Sequence, residues 1–230
     1  MSLNARGLRT LDRRKAFFNW LAKSSADICF LQETYSTLEV ENIGKKQWKG
    51  DMFFSQGAGH SKGLLILVKD HLDFKLQSVK VDSQGRYILL EAIIQDSPFF
   101  LLLNIYAPNK CSEQCDFFKT ISEELNSTFT LSDFSVIIGG DFNVFFDQEL
   151  DGSSGLKKTK DSVKVLEDIC LEHDLLDIWR VRHPKEKRFT WRQNAPIIQR
   201  RLDFWLISDG LQDDVASVDI NPLLNRITLR

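Results

Sequence analysis

One stretch decides the fold: Phe134-Ser135-Val136-Ile137-Ile138-Gly139-Gly140-Asp141-Phe142-Asn143. Its first five residues are hydrophobic or small, which is typical of a short buried strand; the apolar run stops at the two glycines, and the predicted strand leads into Asp141. At the two-residue period of a strand, Asp141 and Asn143 project to one side while Phe142 turns into the core. The pattern predicts a carboxylate and an amide that could bind a metal-bound phosphate, which the glycines would allow close to the backbone. An ordinary polar turn is the alternative interpretation, because Gly, Asp and Asn are common turn residues.

The composition is that of an ordinary globular protein. The chain has 230 residues, 43% hydrophobic and 27% charged, which is enough for one large domain over residues 1–230. Its 30 Lys and Arg against 32 Asp and Glu give a net charge of -2, so a site for a polyanion would have to be local. No apolar run approaches the length of a membrane-spanning helix, and no membrane partner is expected. Reduced cysteines and an intracellular location are the expectation for this cysteine content.

Hydrophobic periodicity and turn residues predict a mixture of helices and short strands. Helices are predicted over 12–22, 112–128 and 161–173, and strands over 26–32, 52–55, 63–68, 74–81, 86–94, 99–106, 202–207 and 216–220. The close spacing of the strands between residues 63 and 106 favours antiparallel meanders over βαβ units. The expected fold class is therefore α+β, a layered sandwich with polar strand-end loops that converge at one edge.

Oxygen-bearing side chains recur where other predicted strands end. They are Asn4, Glu33, Asn104, Tyr106 and Asp203. Oxygen ligands of this kind suit Mg²⁺ or Mn²⁺, which keep several waters and share a substrate phosphate. The four histidines are scattered and form no pair with the spacing of a zinc site. A solvated strand end is the alternative for any one of these residues taken alone.

Five motifs in a fixed order give the chain a family resemblance. They are Leu3-Asn4-Ala5-Arg6-Gly7-Leu8, Leu31-Gln32-Glu33-Thr34, Asn104-Ile105-Tyr106-Ala107-Pro108, Gly140-Asp141-Phe142-Asn143 and Arg201-Leu202-Asp203-Phe204. With them the chain resembles the endonuclease/exonuclease/phosphatase family, most of all the apurinic/apyrimidinic-type endonuclease domain of non-LTR retrotransposons. The resemblance implies a four-layered α/β sandwich, in which two packed, mainly antiparallel sheets are flanked by helices. It also implies Mg²⁺-dependent cleavage of DNA phosphodiesters, a nuclear location and a downstream reverse transcriptase region in the intact element.

The resemblance also implies roles for individual residues. Asn4 and Glu33 would belong to the metal site, and Tyr106 would contact the scissile phosphate, with Asn104 beside it in the same catalytic motif. Asp141 would activate or orient the attacking water, and Asn143 would bind the phosphate. Asp203 would orient a catalytic histidine, and Thr190 resembles a phosphate-contacting hydroxyl. Tyr106 follows the nuclease pattern of the family, which favours a DNA strand over a phosphomonoester or lipid substrate.

Basic and aromatic residues are dense between residues 179 and 201, which we call the basic segment. It contains Arg180, Arg182, Lys185, Lys187, Arg188, Phe189, Trp191, Arg192, Arg200 and Arg201. This charge can neutralise phosphates, and the rings could stack on an extruded base. We predict a DNA-facing loop with contacts from Arg188, Thr190, Trp191, Arg192 and Arg201. A solvated loop with two anchoring aromatic residues is the alternative.

The chain departs from the family pattern near its end. The terminal Ser-Asp-His triplet of the family is absent, and no histidine follows His183. The histidine that Asp203 would orient is thus missing, and the expectation is a domain truncated at both ends that cleaves DNA poorly or not at all. The alternatives are a non-catalytic DNA-binding remnant and a phosphatase of the same fold.

Overall fold

The computed structural model describes residues 1–57, 62–95, 99–129, 134–153, 160–221 and 224–229. Its internal contacts divide the chain into two compact units, Met1–Tyr106 and Ala107–Arg230. Helices and mainly antiparallel strands occur in both units, which confirms the predicted α+β class. The expectation of one domain over residues 1–230 stays a prediction.

The first unit places two groups of strands face to face. Its elements are β1 (Ser2–Asn4), α1 (Leu11–Lys23), β2 (Ile28–Gln32), α2 (Leu38–Gly44), β3 (Gly50–Ser55), β4 (Leu64–Lys69), β5 (Phe74–Val81), β6 (Tyr87–Ile94) and β7 (Phe100–Tyr106). Strands β1, β2, β4 and β3 are neighbours in that order, with β1 parallel to β2 and the other pairs antiparallel. Strands β5, β6 and β7 form the predicted antiparallel meander. Strands β2 and β4 pack against β7, and β4 also packs against β6.

Helix α1 packs against Trp48, which is in turn hydrogen-bonded to the first of these sheets. The ring of its Phe18 lies 5.8 Å from that of Trp48 in an edge-on arrangement, and the Trp48 Nε1–H donates to the carbonyl of Val68 in β4. Helix α2 was not predicted, because it is short and its Leu38 is exposed. Its start depends on Thr37, whose hydroxyl accepts a hydrogen bond from the Val40 N–H.

The second unit combines a short antiparallel sheet with helices on it. Its elements are α3 (Cys111–Phe129), β8 (Ser135–Asp141), α4 (Lys160–Glu172), β9 (Leu175–Asp177), α5 (Ile178–Arg182), β10 (Trp191–Asn194), β11 (Ile197–Arg200), β12 (Asp203–Ser208), β13 (Val215–Asn221) and β14 (Leu224–Leu229). Strand β12 lies between β8 and β9, antiparallel to both. Helix α3 packs on α4, α4 packs on β9, and α5 contacts β9, β12 and β13. Strands β10 and β11 form a separate hairpin, and β13 pairs with β14.

One expectation about the decisive stretch is confirmed and one is wrong. Strand β8 leads into Asp141 as predicted. Gly139, however, serves packing rather than phosphate approach, because a Cβ at this position would lie 2.3 Å from the ring of Trp205, its partner on β12. Close approach of an indole to the backbone therefore explains this glycine.

Candidate active site

Glu33, in the first unit, is held by two tyrosines. It follows β2 directly, and its side chain is half-buried. The Tyr106 hydroxyl donates to Glu33 Oε1 at 2.9 Å, and the Tyr35 hydroxyl donates to Oε2 at 2.8 Å. Burial, together with the hydrogen bond and the negative charge of Glu33, raises the pKa of Tyr35. The phenol of Tyr35 therefore remains a donor at neutral pH.

Asn4 lies at the neighbouring strand end. It is the partner of Gln32 in the parallel pairing of β1 with β2, so it stands one residue away from the level of Glu33. Its Oδ1 accepts a hydrogen bond from the Arg6 N–H at 3.0 Å, and the Gly7 N–H donates to the Glu33 carbonyl at 2.7 Å. We call Glu33, Asn4, Tyr35 and Tyr106 the Glu33 site.

The donor set of the Glu33 site fits a hard cation. Each Glu33 oxygen accepts one phenol, and a carboxylate oxygen has a further lone pair to offer. The site offers only one carboxylate and one amide oxygen. Mg²⁺ is commonly bound by few protein ligands of this kind, because it keeps several of its waters. Among the described residues no group of three or more His, Cys, Asp and Glu side chains could hold a metal ion by itself.

Asn104 is a structural residue, so its assignment to the catalytic residues is wrong. Its side chain is completely buried. Its Nδ2 donates to the carbonyls of Leu31 at 3.2 Å and Leu65 at 3.3 Å, while its Oδ1 accepts from Gln32 Nε2 at 2.8 Å. All three bonds tie β7 to the sheet that it packs against. An amide used in this way cannot reach a substrate.

In the second unit, β8 and β12 bring two carboxylates together. Asp141 and Asp203 are direct partners in the antiparallel register, and both are half-buried. Direct partners point to the same face, with Cβ atoms about 4.5–5.5 Å apart. We call these two residues the aspartate pair. The sequence offered no sign of this pairing, because the two residues belong to motifs far apart in the chain.

Asn143 reaches its place through a turn rather than through strand alternation. It lies beyond the end of β8 with φ at 51°, in the left-handed region. Its N–H donates to Asp141 Oδ1 at 3.0 Å, and its Nδ2 donates to the Ala107 carbonyl at 2.8 Å. The turn fixes both side chains at once. Phe142 points into the core as predicted and meets Phe204 edge-on at 5.2 Å.

Thr190 is hydrogen-bonded to the backbone at one member of the aspartate pair. Its Oγ1 accepts from the backbone N–H groups of Leu202 at 3.0 Å and Asp203 at 3.2 Å. A hydroxyl that accepts twice still has its own proton to donate. The geometry is compatible with the predicted phosphate contact.

Arg201 does not face solvent, so the prediction that it binds DNA is wrong. Its side chain is 0% exposed and lies against two carboxylates. Nε and one terminal nitrogen donate to Asp151 at 2.8 and 3.0 Å, and both terminal nitrogens donate to Asp177 at 3.1 and 2.6 Å. Burial lowers the pKa of Arg201, but the charges and hydrogen bonds of Asp177 and Asp151 outweigh it and raise the pKa overall. With Arg180, which donates to Asp151 at 2.6 Å, these residues form what we call the arginine cluster.

In the rest of the basic segment, some side chains bind other parts of the protein and others face solvent. It is not a loop, since it contains α5 and the hairpin of β10 and β11. Arg182 donates to the carbonyls of Gln212 and Val215, and Arg200 lies over the rings of Phe145 and Trp191 at 5.8 and 5.7 Å. The exposed members are Lys185, Lys187, Arg188, Trp191 and Arg192. Arg188 among them pairs with Glu186 at 2.8 Å.

Comparisons with known proteins agree with this architecture. The sequence model described as the Endonuclease/Exonuclease/phosphatase family matches residues 1–225. The uncharacterized 149 kDa protein of transposon TX1 from Xenopus laevis is 30% identical over 221 residues, which is 95% of this chain but 16% of that protein.

Solved structures share the fold at low sequence identity. An AP endonuclease from Leishmania major superposes with a TM-score of 0.77 at 18% identity, over 96% of this chain and 82% of its own. A 3′ phosphatase from Neisseria, solved with product DNA hairpin, gives 0.68 at 18% identity, over 94% and 89%. At these identities the likeness establishes the fold alone. No helix within the described residues is long and apolar enough to cross a membrane.

Proposed function

The chain belongs to the endonuclease/exonuclease/phosphatase family, and we propose that it is a Mg²⁺- or Mn²⁺-dependent endonuclease that nicks DNA. The observation that carries the proposal is the aspartate pair. Asp141 on β8 and Asp203 on β12 stand directly opposite each other, so two carboxylates lie on one face of the sheet at a strand end. Carboxylates placed together in this way are suited to the hydrolysis of a phosphodiester, which needs a base for the attacking water.

Asp141 is the residue that we assign to the attacking water. Hydrolysis of a phosphodiester needs a base that accepts a proton from water and an orientation for in-line attack. The hydrogen bond from the Asn143 N–H to Asp141 Oδ1 fixes the carboxylate in one orientation. Asp203 is its direct partner on β12, which places a second carboxylate on the same face of the sheet.

Asn143 and Thr190 are assigned to the phosphate. The Asn143 amide donates one hydrogen to the Ala107 carbonyl, and an amide carries a second hydrogen. Thr190 has its hydroxyl proton to donate, since Oγ1 already accepts twice. Preorganised donors of this kind stabilise the charge that develops on the phosphate oxygens in the transition state.

Glu33 and Asn4 are the residues that would hold the divalent cation. A bound cation of this type would supply Lewis-acid stabilisation of the phosphate charge. Tyr106 donates its one hydroxyl proton to Glu33 at 2.9 Å, and we assign this hydroxyl to the scissile phosphate when DNA is bound.

DNA is the proposed substrate because of the exposed part of the basic segment. Arg188, Trp191 and Arg192 are exposed beside or on the hairpin of β10 and β11, where guanidinium groups can bind phosphates and an indole can stack on a base. Tyr106 favours a phosphodiester over a phosphomonoester, as in the nuclease pattern of the family. A nuclear location and a reverse transcriptase region elsewhere in an intact element are part of the same proposal.

Nicking of a supercoiled plasmid tests the proposal. We expect Mg²⁺-dependent nicking that EDTA abolishes, and a decrease of about 10²–10⁴-fold in Asp141→Asn, because the base for the attacking water is lost. Asp219→Asn, the same change at an exposed position of β13, should nick like the unchanged chain.

A chain extended by Ser-Asp-His is the companion variant. It tests the prediction that the missing triplet makes the chain a weak nuclease, and it should nick faster than the chain as it stands. If neither chain nicks, or if Asp141→Asn nicks as fast as its parent, the proposal is wrong.

Non-catalytic DNA binding is the second candidate function. The exposed arginines of the basic segment favour it, since their contacts with phosphates need no cation and no base. Binding in a gel-shift assay with EDTA present, without nicking in either chain, would identify it. A panel of phosphomonoesters distinguishes the phosphatase alternative.

A further inference from the structure

The turn after β2 has an unusual backbone. Glu33 and Tyr35 both have left-handed φ values, 51° and 53°, on either side of the buried Thr34. Such values are uncommon for residues other than glycine, and for a bulky side chain they are a genuine outlier. Residues held this way often serve a functional purpose, because the surrounding structure must enforce them.

Backbone hydrogen bonds hold the turn on two sides. The N–H groups of Gly7 and Leu8 donate to the carbonyls of Glu33 and Thr34. On the other side, the N–H groups of Thr34 and Tyr35 donate to carbonyls at positions 63 and 62. The turn therefore has one defined position within the first unit.

The ring of Tyr35 lies against the loop that follows Asn4. A Cβ on Gly7, whose φ is 89°, would stand 2.8 Å from the Tyr35 Cδ2, so only glycine leaves room for the ring. The Arg9 Nε–H also donates to the Tyr35 carbonyl at 2.7 Å. Tyr35 is thus fixed by the same loop that leads away from Asn4.

From this fixed position the Tyr35 hydroxyl reaches Glu33 Oε2 at 2.8 Å. The terminal torsion of a glutamate is broad and soft, so a carboxylate held at one oxygen can still rotate. With Tyr106 on Oε1, the second phenol defines the plane of the carboxylate and therefore the direction of its remaining lone pairs.

We propose that Tyr35 is a positioning residue that holds Glu33 for the divalent cation. The inference rests on the proposed function in assigning the cation to Glu33. It goes further because Tyr35, which is not itself a ligand, is inferred to determine the affinity for that cation. Partners of this kind orient metal ligands, and their loss typically lowers metal affinity by about 10–100-fold.

Tyr35→Phe tests the inference because it removes only the hydroxyl. Binding of Mn²⁺ to the DNA-free protein, followed by electron paramagnetic resonance of the free ion, should be weakened about tenfold or more. In the nicking assay, the Mg²⁺ concentration for half-maximal rate should rise similarly, while the rate at saturating Mg²⁺ stays near that of the unchanged chain. Tyr87→Phe, at a buried tyrosine of β6, should leave both quantities unchanged.

The outcomes separate the inference from the proposed function. If the unchanged chain binds Mn²⁺ but neither it nor the extended chain nicks DNA, the proposed function fails and the Mn²⁺ affinities still decide the role of Tyr35. Equal Mn²⁺ affinities of the unchanged chain and Tyr35→Phe overturn the inference, whatever the nicking rate. It is also overturned if the unchanged chain binds no Mn²⁺, or if Tyr35→Phe does not fold, since the hydroxyl would then serve the fold.

Discussion

Arg201 and Asp203 stand two residues apart, yet they lie in opposite kinds of electrostatic environment. Arg201 is completely buried between Asp151 and Asp177, so the arginine cluster joins opposite charges through hydrogen bonds of 2.6 to 3.1 Å. Asp203 is half-buried opposite Asp141, so the aspartate pair joins like charges. Both arrangements are built on the start of β12 and its neighbours.

The difference separates a charge that serves the fold from a pair of charges that we propose serves chemistry. A fully buried guanidinium that makes four hydrogen bonds to two carboxylates is not accessible to a ligand, and removing it would leave the buried Asp151 and the half-buried Asp177 without a shared partner. Two carboxylates on one face of a sheet do not attract each other as opposite charges do. We propose that this pair serves as a base and for the binding of a cation. Sequence neighbours can therefore have unrelated purposes.

The largest expected effect comes from Arg201→Met. The change removes the guanidinium that binds both the buried Asp151 and the half-buried Asp177, which should lower the free energy of unfolding by about 3–5 kcal/mol. Urea unfolding followed by tryptophan fluorescence measures it. Arg192→Met, the same change at an exposed position, should stay within about 0.5 kcal/mol of the unchanged chain. Equal unfolding midpoints for the two variants would break the distinction between buried and exposed arginines.

A second variant keeps that test informative if Arg201→Met does not fold. Arg201→Lys retains the charge but not the planar fork that binds both carboxylates. It should unfold at a urea concentration between those of the unchanged chain and the methionine variant. A lysine variant as stable as the parent would mean that charge alone, rather than the bidentate geometry, stabilises the cluster.

An intermediate effect is expected from removing the exposed arginines. In the double variant Arg188→Ala and Arg192→Ala, DNA affinity near 0.1 M salt should fall about 10–100-fold, because two phosphate contacts and their counterion release are lost. The slope of log affinity against log salt should decrease by about 2. Gel shifts at several salt concentrations measure both quantities.

The matched control for that double variant is Lys119→Ala with Lys164→Ala, which removes two positive charges from exposed positions of α3 and α4. Its salt slope should equal that of the unchanged chain. The same loss of slope in both double variants would show that the charge of the whole protein, rather than the hairpin region, determines DNA binding.

The smallest effect should come from Asp203→Asn. Removing one of two carboxylates that are direct partners on β8 and β12 should change the free energy of unfolding by no more than about 1 kcal/mol without divalent cations. The same variant should nick DNA more slowly. Asp209→Asn, a change at an exposed aspartate beyond the same strand, should alter neither quantity. If Asp203→Asn were clearly less stable than the unchanged chain, Asp203 would stabilise the fold as Arg201 does, and the contrast between the two residues would be wrong.

Most of the regular elements could be predicted from the sequence, because long apolar runs have few alternatives. The strand predicted over 74–81 is β5 (Phe74–Val81), and the helix predicted over 161–173 is α4 (Lys160–Glu172), one residue away at each end. The hairpin of β10 and β11 was missed, since its strands are largely exposed and polar and show no alternation. It is held by pairing between its own strands rather than by a buried face.

The candidate site was predicted residue by residue but not as an arrangement. Glu33, Tyr106, Asp141, Asn143 and Asp203 stand at strand ends as expected or in the turn beyond. Tyr35 was missed because a strand pattern cannot reveal two left-handed residues that fold its hydroxyl back onto Glu33. The wrong predictions for Asn104 and Arg201 have the same cause. In the sequence, a polar residue in or next to a motif gives no sign of whether its side chain is buried or faces solvent.

The sequence by itself determined the fold class, the family and the strand ends that carry oxygen ligands, because these depend on local hydrophobic patterns and short motifs. Only the tertiary structure decided which polar groups are buried and hydrogen-bonded within the fold. Arg201 meets carboxylates 50 and 24 residues away, and Asn104 binds groups more than 70 residues away on β2. A buried polar group requires a hydrogen-bond partner. For these two residues the partners lie on distant segments, which packing brings together and no local signal indicates.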